Sequence, residues 1–168
     1  LYNIASTNVP LYDISNPSNT WKFTGAFDYT FATNMTIASS NRILIVETTP
    51  TVFSNAYPEL PTNSVVVGPY SGSLVNDGES IKLRKPNQPE PDGSVPYVMV
   101  DRVKYNDAPP WPVEADGAGL SLERRVMAEY GNDVTNWVAG LAPSPGIHVR
   151  IVAITNPVDG VTFIVPFS

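Results

Sequence analysis

The sequence predicts an all-β sandwich, and three observations carry that prediction. Short runs alternate apolar and polar side chains, as half-buried strands do. Turn-forming residues separate the runs throughout. The 168-residue chain holds 17 prolines and 11 glycines, normal for short strands joined by turns and high for a helical domain. No long window keeps a helical period, which leaves too little helix for an α/β fold.

Length and composition set the bounds. A chain of 168 residues is one domain by default, with room for a linker or part of a second. It buries a core without covalent staples. It has no cysteine, which excludes disulfides and thiolate metal sites but does not fix the compartment. Net charge is −6, from 16 acidic and 10 basic residues. An acidic surface repels phosphate backbones, so nucleic acid is not an expected partner. No stretch approaches the ~18 apolar residues of a membrane helix, so membrane insertion is not expected. No signal-peptide pattern is read in these residues, and Leu1-Tyr2-Asn3 reads as the interior of a longer chain.

Taken in order, Val9, Leu11 and Ile14 nearly alternate between Pro10 and the Asn16-Pro17-Ser18-Asn19 turn. Trp21–Thr24 and Phe27–Phe31 read as half-buried strands, with Gly25 as a hairpin turn or bulge between them. Arg42–Glu47 is a continuous apolar run, expected as a central strand buried on both faces. Thr51–Tyr57 reads as a single helical turn or a loop, ended by Pro58 and Pro61. Val65–Val67 is another short strand. Asn76-Asp77-Gly78-Glu79 is a hairpin signal, because Asp-Gly readily takes positive φ. It leads into the strand Ser80–Arg84, and Pro86–Pro96 reads as a surface loop.

Unbroken alternation along Tyr97–Tyr105 puts Tyr97, Met99, Asp101, Val103 and Tyr105 on one face, and Val98, Val100, Arg102 and Lys104 on the other. The rest of the plan lies between Asn106 and Gly146. There Pro110-Trp111-Pro112, the strand Leu120–Arg125, Gly131-Asn132-Asp133, Asn136-Trp137 and Ser144-Pro145-Gly146 alternate turns with anchors. That pattern suits loops pinned to a sandwich.

An ordered set of segments resembles the lamin tail domain, in the form found in bacterial multi-module exported proteins. The set is Leu1-Tyr2-Asn3, Trp21-Lys22-Phe23-Thr24-Gly25, Phe31, Arg42–Glu47, Gly68–Leu74, Asn76–Glu79, Val100–Tyr105, and Pro110-Trp111-Pro112 through Asn136-Trp137 to Ser144-Pro145-Gly146. The resemblance covers residues 1–147. It implies an immunoglobulin-like β-sandwich of lamin-tail type, with the family's usual first strand missing from this chain. Residues 148–168 are expected to be a linker and the opening strand of a following immunoglobulin-like module, or a donor strand. Ile154–Phe163 resembles such an opening. Alternation puts Val161, Phe163, Val165 and Phe167 on one face, a candidate assembly strand.

Candidate chemistry is sparse. His148 is the one histidine and has no acidic neighbour in sequence, so an exposed linker residue is preferred to a catalytic base. Acidic residues gather at Asp77-Gly78-Glu79, Glu90-Pro91-Asp92-Gly93 and Glu114-Ala115-Asp116-Gly117. None has calcium-loop spacing, and Asp-Gly is a common tight turn. No cofactor is therefore expected, and the loops around Asp92 and Asp116 are the first places to test for calcium. Lys82-Leu83-Arg84-Lys85 reads as a solvated strand face or a charged edge. Trp21, Trp111 and Trp137 are expected as buried core anchors, with a sugar-stacking platform at Trp111 and Trp137 as the alternative. Asn34-Met35-Thr36 fits a glycosylation sequon.

The expected function is that of a non-catalytic structural or adhesive module. It would belong to an exported, cell-surface or filament-forming multi-domain protein. Its partners would be other protein modules or copies of itself. The alternative is a carbohydrate-binding module tethered to an extracellular enzyme, with polysaccharide as partner.

Overall fold

The computed structural model describes residues 1–140 and Pro145, and assigns backbone strands at Ile154–Thr155 and Thr162–Phe163. The strands are β1 (Val9–Pro10), β2 (Lys22–Gly25), β3 (Phe27–Thr30), β4 (Thr36–Ile37) and β5 (Arg42–Ile45), then, after helix α1 (Pro50–Ala56), β6 (Ser64–Val67) and β7 (Ser71–Gly72). They continue with β8 (Ser80–Pro86), β9 (Tyr97–Lys104), β10 (Leu122–Arg124), β11 (Trp137–Ala139), β12 (Ile154–Thr155) and β13 (Thr162–Phe163).

The main sheet has five strands in the order β7-β3-β2-β8-β9, all antiparallel. Its alternation is the one expected of a sheet with one covered face. Phe23 opposes Leu83 on the inner face, and Lys22 opposes Arg84 on the outer face. The inner face packs into a core of Leu11, Phe31, Ile37, Ile43 and Leu83, with Trp21, Phe23 and Tyr29 against it. Phe23 lies 5.3 Å from Phe27 and 5.9 Å from Phe31, and Tyr29 meets Phe31 edge-on at 5.3 Å. Such tilted contacts add to the area that the rings bury.

Opposite lie β1 paired with β4, and β5 with a neighbour on each side. Leu1 N donates to Ile43 O and Ile43 N donates to Leu1 O, both at 2.9 Å. β6 pairs with β5 in parallel. Arg42–Glu47 thus has a neighbour on each side, as expected, but it is not buried on both faces: in β5 only Ile43 is buried, while Arg42, Leu44 and Ile45 are half-buried. Asn3 ties the opening segment down. It is buried, its Nδ2 donates to the carbonyls of Thr7, Ile37 and Ala38, and its Oδ1 accepts from Ala5 N–H.

Two further expectations are corrected. A parallel pair needs a crossover, and the crossover here is a seven-residue helix rather than a lone turn. Thr49 Oγ1 caps it by accepting from Val52 N–H at 3.4 Å, and Pro50 sits in its first turn. Phe53 and Tyr57 stack four residues apart with ring centroids at 4.8 Å. The fold is thus β-rich, with several antiparallel sheets and one helix, rather than purely β. The second correction concerns Asn76–Glu79. The turn forms, but β7 and β8 are not neighbours, so it carries the chain past β3 and β2 instead of closing a hairpin. Turn chemistry is local, and pairing is decided by the sheet.

Gly25 does what its position implied. It holds φ at +111°, and a Cβ there would collide with the Ser80 carbonyl. Gly25→Ala should therefore cost about 1–3 kcal/mol. Urea unfolding measures it, and an unchanged midpoint would contradict this packing of β2 on β8.

Candidate functional site: an open sheet edge beside an apolar groove

β9 is the last strand of the main sheet. β8 covers one of its edges, and among the described residues no strand covers the other. Its register with β8 breaks at Leu83/Arg84: Leu83 faces Asp101 while Arg84 faces Met99. Val100 is the extra residue of this bulge. Val98, Met99 and Val100 are 38%, 54% and 44% exposed. An apolar edge with unpaired backbone groups is a template for another strand. Part of that edge is already engaged. Lys104 N–H donates to Asn132 Oδ1 at 2.6 Å, and Arg102 N–H to Asp101 Oδ1 at 2.9 Å.

Beside this edge runs a cavity of about 980 Å³. Trp21, Phe23, Ile81, Leu83 and Val103 line it from the sheet side, Leu1, Leu11 and Ile37 from the opposite layer, and Leu122, Met127 and Trp137 from the β10–β11 side. β10 and β11 pair in the register Leu122↔Ala139, Glu123↔Val138 and Arg124↔Trp137. The loop between them is closed by Asn136, which is 2% exposed. Asn136 Oδ1 accepts from Val126 N–H at 2.8 Å, and its Nδ2 donates to Val126 O at 2.9 Å. One side chain thus imitates a strand partner. Arg124 Nη1 donates to Asp101 Oδ2 at 2.7 Å and ties this wall to β9. The pair is partly solvated, so it orients the two elements more than it stabilises them.

The tryptophans named from sequence fall into two places. Trp21 is half-buried against the core, and Trp111 and Trp137 are half-buried against each other. Their rings lie 6.0 Å apart and tilted by 46°, which is a packed pair rather than one flat stacking platform. Trp137 Nε1 donates to Gly131 O at 2.9 Å. Of the candidate assembly strand, β13 includes Phe163, which faces Ile154 of β12. Val161, Val165 and Phe167 lie outside the described residues, as does His148.

The acidic turns stay apart. No group of three or more His, Cys, Asp or Glu side chains converges among the described residues. Asp92 is exposed and accepts from Ser94 N–H at 2.9 Å, and this bonding to Ser94 holds its carboxyl below the usual value. Asp133 is similar. Hydrogen bonds from the Thr135 hydroxyl at 2.8 Å and amide at 2.9 Å lower it.

A carboxyl lowered in the folded state contributes above its unfolded value, and the contribution is lost as pH falls through the folded one. The Thr135 amide should therefore lose its hydrogen-exchange protection on acidification below about pH 4. Asp133→Asn should flatten that response. An amide whose protection ignores pH in the parent chain would contradict the Thr135–Asp133 hydrogen bond.

The sequence reading missed Val98, Met99, Val100 and Met127 as site residues. The Val-Met-Val run was a usable signal, but only an edge position makes it meaningful. A scan of family models matches none, and searches of curated proteins and of solved structures return no match. No helix among the described residues is long and apolar enough to cross a membrane.

Proposed function

We propose that the chain is a non-catalytic structural module of an exported, cell-surface or filament-forming multi-domain protein. In this reading its sheets form an immunoglobulin-like sandwich of lamin-tail type. It works by accepting a β-strand from another copy of itself. The observation that carries this is the Val98–Val100 part of the β9 edge, which no strand covers among the described residues, beside the apolar groove. A strand added there gains main-chain hydrogen bonds from the edge and places alternate side chains in the groove. Val161, Phe163, Val165 and Phe167 have the alternation such a donor needs. A two-stranded hairpin such as β12–β13 is marginal alone in water, which favours its capture by a larger sheet. Donation from copy to copy is heterologous and extends into fibres when it does not close.

The test is sedimentation velocity with electron microscopy on three chains: the parent, the chain lacking residues 157–168, and Val100→Glu. The parent should associate. Deletion should abolish association, and a buried carboxylate at the edge should weaken it by at least about tenfold. A strictly monomeric parent, or equal association after deletion, contradicts the proposal.

A further inference from the structure

We infer that the outer face of the main sheet is a binding surface for a linear carboxylate-bearing polysaccharide, separate from the groove. The register builds it. Lys22 faces Arg84 across β2 and β8, and Lys82 faces Arg102 across β8 and β9. Ser80 faces Lys104 in the same alternation. Directly opposed residues share a face, so Lys22, Lys82, Arg84, Arg102 and Lys104 stand together. They are half of the 10 basic residues in a chain of net charge −6. Asp28 is the one acid that the register places on this face, at the far side on β3 beside Ser71.

This arrangement opposes stability. Like charges directly across a ladder repel, and here two such pairs sit in successive rows. Their role is not confined to guarding an edge, because β2 and β8 are interior strands. None of the five makes an ion pair among the described residues, where the one ion pair is Arg124–Asp101. Arg84 Nε and Arg102 Nε are shielded from solvent and have no hydrogen-bond partner. The same holds for Arg42 Nε and Arg124 Nε elsewhere, so it is the clustering of the cations that marks this face, and a guanidinium fork fits a carboxylate.

The chemistry of the occupant follows. Strands about 4.8 Å apart, with same-face residues about 6.7 Å apart along each, give a grid of positive charge. A linear polyanion lies across such a grid. Thr24, Thr30 and Ser80 set hydroxyls between the cations, which suits a polymer rich in hydroxyls. The one aromatic ring brought to this face, Tyr97, is covered by Lys22 Nζ at 3.6 Å. No open ring remains for base stacking, so a single-stranded nucleic acid fits less well.

The experiment titrates the full chain with polygalacturonate, with neutral dextran, and with a single-stranded oligonucleotide, by calorimetry. Polygalacturonate should bind and dextran should not. Affinity should fall by at least about tenfold between about 50 and 200 mM salt. Replacing Lys82→Gln and Arg102→Gln together should weaken binding by at least about tenfold. The same variant should melt at the parent's temperature or above it, because an opposed like-charge pair has gone. Absent polygalacturonate binding, equal binding by dextran or the oligonucleotide, or an unchanged affinity in the variant overturns the inference. So does a loss of stability in the variant, which would give these cations to the fold. Salt-sensitive self-association that the variant abolishes, without polygalacturonate binding, overturns it too, because the face would then belong to a second copy.

Discussion

Replacing Phe31 by alanine should destabilise the protein by about 3–5 kcal/mol, enough to unfold a marginal domain. Phe31 is 2% exposed. It joins the main sheet to the opposite layer, because it touches Phe23 and Tyr29 and belongs to one core with Leu11, Ile37 and Ile43. Those neighbours come from separate stretches of the chain and cannot all collapse into the void. Phe31→Leu keeps most of the volume and should cost far less. Chemical unfolding followed by circular dichroism measures both. Equal costs for the two variants would mean that Phe31 is not the packing centre.

Asn136→Ala should cost about 1–3 kcal/mol, because two part-buried hydrogen bonds to Val126 lose their partner. The effect reaches beyond stability. Asn136 closes the loop that holds Met127 and Arg124 along the groove, so its loss should also weaken self-association. Asn136→Asp keeps the acceptor for Val126 N–H but sets a carboxylate oxygen against Val126 O in a buried position. It should cost at least as much as alanine. If alanine at this position left both melting temperature and association unchanged, the groove wall would not depend on it.

Much of the strand layout was legible in the sequence because alternation against a core leaves a period of two. Phe23, Phe27 and Leu83 point inward as that pattern requires. Three features were not legible. α1 is only seven residues long, too short to show a helical period, and is fixed by its Thr49 cap and its place between parallel strands. The Asn76–Glu79 turn reads locally as a hairpin, while its strands are separated by β3 and β2. The bulge at Val100 reverses the alternation of β9 partway along. Unbroken alternation sets Tyr97 and Met99 opposite in face to Arg102 and Lys104, yet the register places Met99 across from Arg84 and Arg102 across from Lys82. A bulge shifts parity without any mark in composition. The cationic face therefore emerged only from the paired strands, although Lys82 and Arg84 were already visible as an alternating pair. The edge position of β9, on which the candidate site depends, is a property of sheet order that no single segment encodes.

The central claim is that the free edge of β9 accepts a strand from another copy. Backbone hydrogen exchange of the full chain at low and high protein concentration tests it most directly. Association should slow exchange at the β9 amides between Val98 and Val100, ahead of the engaged Arg102 and Lys104 amides, and leave the opposite sheet edge at Ser71–Gly72 unchanged. Protection that grows at Ser71–Gly72 while β9 stays unchanged would contradict the account.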